Sequence, residues 1–259
     1  MTRAVPEVAV AARDEPGTEW LASGMERIEP PAVLHMTHAE RLLASASDLL
    51  HRAGSVRMAT DMRKGAQRVR TDMRIDREGN CVGGFDGGPG NRGTLVVLAG
   101  PEPEAYMRFS ETALAELQTM ADGRGATVSA RVRDRIGQMR GKYVKARSGP
   151  KGAEALAKGC AVPRLIGAGE DEWKGARELA PVRRDGRRVI PLVPGPDEGT
   201  EGVAYVDAGG KPYLRSLRAK EAGMTADLRF SAYGAPVTVR RPAASDVVEF
   251  ADEGSMFAL

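Results

Sequence analysis

Apolar and polar residues first alternate with the period of a helix. Thr37 and Glu40 form the capping-box pattern, in which each side chain bonds the other residue's backbone amide, and Gly54 provides a stop. Between them, apolar residues recur every three or four positions, as on one face of an amphipathic helix. These residues are Leu42, Leu43, Ala46, Leu49 and Leu50. We therefore predict a helix that follows Thr37 and ends at Gly54.

After this helix the period changes from 3.6 to 2. Apolar residues or threonines alternate with mostly charged residues over 56–63 and again over 69–75, with Lys64 and Gly65 between the two runs. This alternation is typical of two half-buried antiparallel strands. Gly-rich turns join three further predicted strands, at residues 81–85, 94–98 and 104–109. The order is a helix followed by a meander.

A helical segment then interrupts the strands. Ser110 caps a helix over residues 111–117, and residues 122–125 separate it from a second helix. Residues 141–145 have an extended pattern, and residues 150–159 predict a short helix that ends at Cys160.

From residue 176 onward the pattern returns to strands. Asp185 and Gly186 mark a hairpin turn. We predict strands at residues 189–193, 202–207, 212–219, 226–231 and 237–240. About ten short strands with grouped helices favour the α+β class, built on a strongly curved antiparallel sheet.

Length and composition fit one folded domain. The chain has 259 residues, of which 42% are hydrophobic and 5% aromatic. Residues 1–36 contain four prolines and no sustained period, so we expect an N-terminal extension there, one domain over 37–250 and a tail over 251–259. No apolar run approaches the ~20 residues that a transmembrane helix needs. Acidic residues interrupt the start before any export signal forms, which predicts a cytoplasmic protein if Met1 is the true start.

A search for catalytic chemistry finds no convincing motif. Residues 88–93 match the glycine pattern of dinucleotide-binding loops, but a predicted strand follows where that motif needs a helix, so we interpret them as a turn. His35, His38 and His51 straddle a helix cap, and no nearby Cys completes a metal-ligand set. No nucleophile elbow is present. We predict no catalytic residue, no metal site and no cofactor.

Basic residues cluster between Arg124 and Arg147, where eight Lys or Arg face one acid. Three interpretations stay open: a solvated helix face, a surface for anionic membrane, and a nucleic-acid site. Nucleic-acid binding usually adds stacking aromatics, and only Tyr143 is near, so membrane is favoured over nucleic acid. The two cysteines, Cys81 and Cys160, are either two reduced thiols or one long-range disulfide.

Several segments, taken in order, resemble one family. The most specific are Gly210-Lys-Pro-Tyr-Leu214 and Phe230-Ser-Ala-Tyr-Gly-Ala-Pro-Val237. Others are Asn80-Cys-Val-Gly-Gly84, Glu104-Ala-Tyr-Met107, Gly141-Lys-Tyr-Val-Lys145 and Asp185-Gly-Arg-Arg-Val-Ile-Pro-Leu192. Over about residues 38–250, the chain is similar to actinobacterial envelope lipoproteins of the LppX/LprG type, which have the LolA/LolB-like fold.

This resemblance implies an incomplete β-barrel, with helices that plug the concave side of the sheet and an apolar cavity for acyl chains. It implies lipid carriage at the cell envelope, no enzymatic activity, and a disulfide between Cys81 and Cys160. Family members begin with a signal peptide that ends in a lipidated Cys, and this sequence shows neither feature.

We therefore expect a monomer that binds a lipid or another hydrophobic ligand. The predicted cavity lining is Val56, Met58, Met62, Val69, Met73, Leu95, Val97, Leu114, Leu117, Val128, Val132, Ile136 and Met139. Arg131, Arg135, Lys142 and Lys145 would face an anionic membrane. The alternative is an envelope interaction or sensory module, with a protein partner and a filled cavity.

Overall fold

The fold comes from a computed structural model, which describes residues 36–149, 152–161, 173–195, 201–221 and 223–250. Helix α1 spans His38–Arg52 and begins with the predicted capping box. The Thr37 hydroxyl accepts a hydrogen bond from the Glu40 backbone amide, and the Glu40 carboxylate accepts one from the Thr37 backbone amide. It ends just before Gly54, whose φ of 73° is the left-handed conformation that glycine adopts readily. The first predicted helix is confirmed.

The strands of the first half form the predicted meander. They are β1 (Ser55–Lys64), β2 (Gln67–Asp76), β3 (Cys81–Asp86), β4 (Arg92–Leu98) and β5 (Glu104–Phe109). Strand β4 begins at Arg92, at the end of the glycine-rich pattern, where a dinucleotide-binding loop would lead into a helix. The interpretation as a turn followed by a strand is confirmed. The backbone amide of Gly90 in that loop donates to the Glu116 carboxylate at 2.8 Å.

The interrupting segment and the second half complete the architecture. The segment contains α2 (Glu111–Asp122), α3 (Ala126–Met139), β6 (Tyr143–Lys145) and α4 (Ala153–Cys160). The later strands are β7 (Arg177–Glu178), β8 (Val182–Arg184), β9 (Arg187–Val193), β10 (Glu201–Asp207), β11 (Leu214–Glu221), β12 (Met224–Ser231) and β13 (Val247–Val248). Asp185 and Gly186 both have positive φ, as a two-residue hairpin turn between β8 and β9 requires.

The thirteen described strands form one sheet in the order β13-β6-β5-β4-β3-β2-β1-β12-β11-β10-β9-β7, and β8 also pairs with β9. All pairs are antiparallel except β13 with β6. The pairing of β12 with β1 joins the two halves of the chain in the middle of the sheet. The predicted α+β class and curved antiparallel sheet are confirmed.

One predicted strand is wrong. Residues 237–240 have no strand structure. The two positions beside β12 are already occupied by β1 and β11, so the chain after β12 finds no free edge there. It continues instead to the far edge of the sheet, where β13 pairs with β6. Strands β7 and β13, of two residues each, were not predicted because so short a run carries no period.

The disulfide that the resemblance implied is present. Cys81 in β3 bonds Cys160 at the end of α4, with a Cα–Cα distance of 6.0 Å. Both residues are buried. The bond closes a span of 79 residues and fixes α4 against the sheet. Apart from Met36, the predicted extension and tail lie outside the described residues, as does His35.

Two hydrophobic clusters fill the described structure. The sheet cluster joins α1, α4 and one face of the sheet. The insert cluster joins α2 and α3 to β5 and β6 through Phe109, Leu114, Leu117, Ile136, Met139 and Val144. Phe85 and Met107 pack against both clusters.

Candidate functional site

The antiparallel register aligns the inward side chains of neighbouring strands into rows. We call the sheet face that α1 and α4 cover the inner face. The first row is Val56, Ile75, Cys81, Val97 and Ala105. The second row is Phe230, Met58, Met73, Gly83, Leu95 and Met107. The third row is Leu217, Leu228, Thr60, Thr71, Phe85, Gly93 and Phe109, and the fourth is Ala219, Ala226, Met62 and Val69.

Exposure increases from the first row to the fourth. Every residue of the first row is at most 5% exposed. In the third row Leu228 and Phe109 are buried while the other five are partly exposed. In the fourth row no residue is buried, and Val69 is 39% exposed. The inner face therefore opens toward the turn between β1 and β2.

The placement of the helices accounts for this gradient. Helix α1 packs over β10 and β11, and α4 packs over β4 and β5. Strands β12, β1 and β2 lie between these two areas in the sheet order. Apolar side chains of the third and fourth rows thus remain accessible between the two helices.

Two hydroxyl groups lie in the middle of the accessible region. Thr60 and Thr71 are directly paired across β1 and β2. Both are partly exposed, and neither hydroxyl has a hydrogen-bond partner within the described part of the chain. Apolar neighbours flank them on both sides of the row, Leu228 on one side and Phe85 on the other. The pair can donate hydrogen bonds to a polar group of a bound molecule.

The thirteen residues predicted to line a cavity do not lie together in one site. Nine of them are at most 6% exposed: Val56, Met58, Met73, Leu95, Val97, Leu114, Leu117, Ile136 and Met139. The five from strands lie in the first two rows, whereas the four from helices lie in the insert cluster. Four are partly or well exposed: Met62, Val69, Val128 and Val132. Only Met62 and Val69 belong to the open rows.

Sequence reasoning missed most of the accessible region. The partly exposed residues Thr60, Thr71, Leu217 and Ala226 were not assigned to the site, nor was the buried Leu228 beside them. The alternation of β1 and β2 indicates that Thr60 and Thr71 share a face with Met58 and Met73. Which residues of β11 and β12 lie beside them depends on the pairing of β12 with β1, which joins residues at least 160 positions apart.

The four bases predicted to face a membrane differ in their contacts. Lys145 pairs with Glu249 at 3.1 Å and with Glu104 at 3.7 Å, and the hydrogen bond to Glu249 raises the pKa of Lys145. The Arg135 guanidinium lies 5.2 Å from the centre of the Phe250 ring. Arg131 and Lys142 are exposed. Two of the four bases are thus already engaged by protein groups.

Ion pairs cover the opposite, outer face of the sheet. Asp61 accepts hydrogen bonds from Arg68 and lies 3.5 Å from the Arg63 guanidinium. The hydrogen bond from Arg68 lowers the pKa of Asp61 to about 2. Asp72 is likewise held by Arg57, whose hydrogen bond lowers the pKa of Asp72.

Two open clefts of about 520 and 610 Å³ lie on this outer face and share Asp61, Asp227 and Arg229. Asp227 lies 3.0 Å from Arg218 and 3.6 Å from Arg184. Arginines of the chain itself hold the carboxylates of Asp61 and Asp227, which is typical of a structural ion-pair network. Among the described residues, no group of three or more His, Cys, Asp or Glu could hold a metal ion.

No protein-family model matches the chain, and a comparison with curated proteins finds no match. Solved structures do match. LprF from Mycobacterium bovis superposes with a TM-score of 0.51 and 13% identity, over 80% of this chain and 97% of that one. The chain shares the fold of LprF. At this identity the likeness concerns the fold alone, and it agrees with the resemblance seen in the sequence.

Two other solved structures are less similar. The lipoprotein LppX from Mycobacterium tuberculosis has a TM-score of 0.43 and 11% identity, over 78% of this chain and 98% of that one. An uncharacterized conserved protein from Thermus thermophilus has a TM-score of 0.40 and 13% identity, over 83% and 100% of the two chains.

The two most specific segments of the sequence resemblance meet in the structure. The rings of Tyr213 and Tyr233 lie 4.8 Å apart, and the Tyr233 hydroxyl donates to the Leu214 carbonyl at 2.5 Å. Burial raises the pKa of Tyr233. Arg215, which pairs with Asp207, lies over both rings. These motif residues join β11 to the segment after β12 and therefore have a structural role.

Proposed function

We propose that this protein binds a lipid or another hydrophobic ligand on the inner face of its sheet, without catalysis. The accessible third and fourth rows carry the proposal. They present Leu217, Ala226, Phe85 and Met62 in the interior of the sheet, where apolar side chains normally have a covering layer. An acyl chain laid along these rows would remove apolar surface from water, at about 25 cal/mol per Å².

The threonine pair supports a ligand that also carries a polar group. Thr60 and Thr71 would bond an ester, carboxyl or hydroxyl oxygen while apolar neighbours contact the chain. The resemblance of the sequence to envelope lipoproteins supports the same class of ligand and a location at the cell envelope. We propose that residues 37–250 act as one binding domain and that the protein is a monomer.

The test measures bound lipid directly. Native mass spectrometry of the full chain, purified without detergent, should show adducts with the masses of cellular lipids. A dansyl-labelled fatty acid should increase in fluorescence on binding and be displaced by unlabelled acyl lipid. A protein without adducts that also leaves the probe unchanged would refute lipid binding.

A matched pair of variants locates the ligand. Ala226→Trp places an indole in the fourth row on the inner face and should abolish probe binding. Ala59→Trp adds the same group to the outer face of β1, where Ala59 pairs with Arg229, and should leave binding unchanged. Equal loss in both variants would point to damage to the sheet and not to occupation of the inner face.

A second candidate function has its own supporting observation. Nine of the thirteen residues predicted to line a cavity are at most 6% exposed, which is the burial of a packed core. An interaction or sensory module with a filled interior would show this packing. In that case the wild-type protein would bind no lipid, so Ala226→Trp would change neither the lipid adducts nor the probe fluorescence.

A further inference from the structure

We propose that the adjacent turns at the open end of the sheet form a rim that docks on an anionic lipid bilayer. The rim consists of residues 62–69, around the β1–β2 turn, and of the described residues 218–221 and 223–225, around the β11–β12 turn. This surface is distinct from the basic cluster between Arg124 and Arg147, which includes α3 and which the sequence suggested as a membrane-facing surface. It concerns docking of the protein and is tested separately from binding of a ligand.

The register places the two turns side by side. Strands β1 and β12 pair as far as Lys64 with Met224, and β1 and β2 pair as far as Lys64 with Gln67. Both turns therefore lie at the same end of the sheet. This is the end toward which the inner face opens, so the rim is continuous with the proposed ligand site.

Apolar side chains are exposed at this rim. Val69 and Met224 are each 39% exposed, and Met62 lies beside Val69 in the fourth row. All three belong to the inner face, because Met62 and Val69 are directly paired and Met224 lies two residues before Ala226 in the same strand. Residues 64–67 between them are exposed as well. Side chains of this kind at a strand end can enter the boundary between headgroups and acyl chains.

Basic residues accompany these apolar side chains. The rim contains five Lys or Arg and one acid, Glu221. Four of these bases pair with acids outside the rim. Arg63 and Arg68 share the carboxylate of Asp61. Arg218 lies 3.0 Å from Asp227, and Lys220 lies 2.9 Å from Glu201. Lys64 makes no ion pair with any described residue. The unpaired ammonium group of Lys64 and the exposed apolar groups together complement an anionic membrane surface.

The composition of the rim favours a bilayer over other partners. It contains no aromatic residue, which nucleic-acid binding would use for stacking. In the α3 segment, by contrast, the apolar residues Ile136 and Met139 are buried in the insert cluster and do not accompany the bases at the surface.

Vesicle co-sedimentation of the full chain tests the proposal. Wild-type protein should sediment with phosphatidylcholine vesicles that contain phosphatidylglycerol and much less with pure phosphatidylcholine. The double variant Val69→Asn/Met224→Asn should weaken binding to the anionic vesicles about tenfold, because it removes two apolar anchors. Lys64→Gln should weaken it about fivefold, since one charge near an anionic surface contributes by roughly that factor.

Controls of similar exposure make the test specific. Val182→Asn and Met120→Asn replace exposed apolar residues elsewhere, of which Met120 is 39% exposed, and should sediment like wild type. Arg131→Gln/Lys142→Gln tests the basic cluster between Arg124 and Arg147. The proposal is overturned if wild type ignores anionic vesicles, if only the α3 variant loses binding, or if rim and control variants lose it equally. Probe binding without vesicles, measured on the same variants, reports separately on the ligand site.

Discussion

At the scale of single residues, one carboxylate on the outer face organises several arginines. Asp61 bonds Arg68, contacts Arg63 and stands directly opposite Asp227 in the register of β1 and β12. Two adjacent acids would repel each other if they were alone. Here Arg68 holds Asp61, and Arg218 and Arg184 hold Asp227, so each carboxylate has arginine partners of its own.

This pairing predicts a specific acid sensitivity. The pKa of Asp61 is lowered to about 2 in the folded chain, below the ordinary value of about 3.9 in an unfolded one. The stability gained from the Arg68 contact is therefore present above about pH 4 and lost as pH falls toward 2. In urea unfolding at pH 7, Asp61→Asn should cost about 1 kcal/mol or less, because the pair is partly exposed.

The same variant should reduce the loss of stability between pH 4 and 2, since it removes a group whose pKa changes on folding. Asp134→Asn serves as control, because this exposed acid on α3 accepts a hydrogen bond from Gln138 and lies outside the outer-face network. If the stability of Asp61→Asn falls between pH 4 and 2 as much as that of wild type, the acid sensitivity does not come from Asp61.

Local rules predicted residues whose role depends on near neighbours. The Thr37 and Glu40 capping box and the Asp185–Gly186 turn each follow from backbone geometry within a few positions. The pair of Thr60 and Thr71 could be placed on one face by alternation. Its accessibility could not be predicted, because α1 and α4, which leave it uncovered, come from distant segments.

At the scale of elements, burial on the inner face changes from row to row, and this gradient predicts opposite effects of the same substitution. Val97 in the first row is 0% exposed, so Val97→Trp should destabilise by overpacking, by about 1–3 kcal/mol in urea unfolding. Ala226→Trp in the partly exposed fourth row should change stability by less than about 0.5 kcal/mol.

These two variants also separate the proposed functions. Loss of probe binding in Ala226→Trp at unchanged stability would agree with an open ligand site between the helices. A large loss of stability in Ala226→Trp would mean that the fourth row is packed, and it would favour the filled interaction module.

The helices and long strands were predicted because their periods extend over seven or more residues. The failed strand at residues 237–240 shows the limit of this reasoning. Its alternation is compatible with a strand, but β12 already has neighbours on both sides. Whether a segment joins a sheet depends on a free edge, and the sequence does not state which edges are free.

At the scale of the whole molecule, the Cys81–Cys160 bond connects the first meander to α4 across the helical insert. Cys81→Ser/Cys160→Ser should lower stability by about 2–4 kcal/mol, because the bond restricts a loop of 79 residues in the unfolded chain. Urea unfolding with and without reductant measures this. Wild type should weaken on reduction to the level of the double variant, and the variant should not respond.

If reduction leaves wild type unchanged, the bond does not constrain the unfolded chain in solution. A variant that responds to reductant would reveal an effect other than cleavage of this bond. Ser is the closest replacement in size for each buried Cys, so the comparison introduces little change in packing.

The sequence by itself determined the helix at residues 38–52, the β1–β2 hairpin, the α+β class, the glycine-rich turn before β4 and, through its family resemblance, the pairing of the two cysteines. Period, turn chemistry and motif context depend on residues that are close together in the sequence, so the local pattern is enough to predict them. Only the tertiary structure decided the row register, the open region around Thr60 and Thr71, and the rim where Val69 meets Met224. These depend on β12 pairing with β1 and on the positions of α1 and α4, and contacts between such distant segments leave no local pattern.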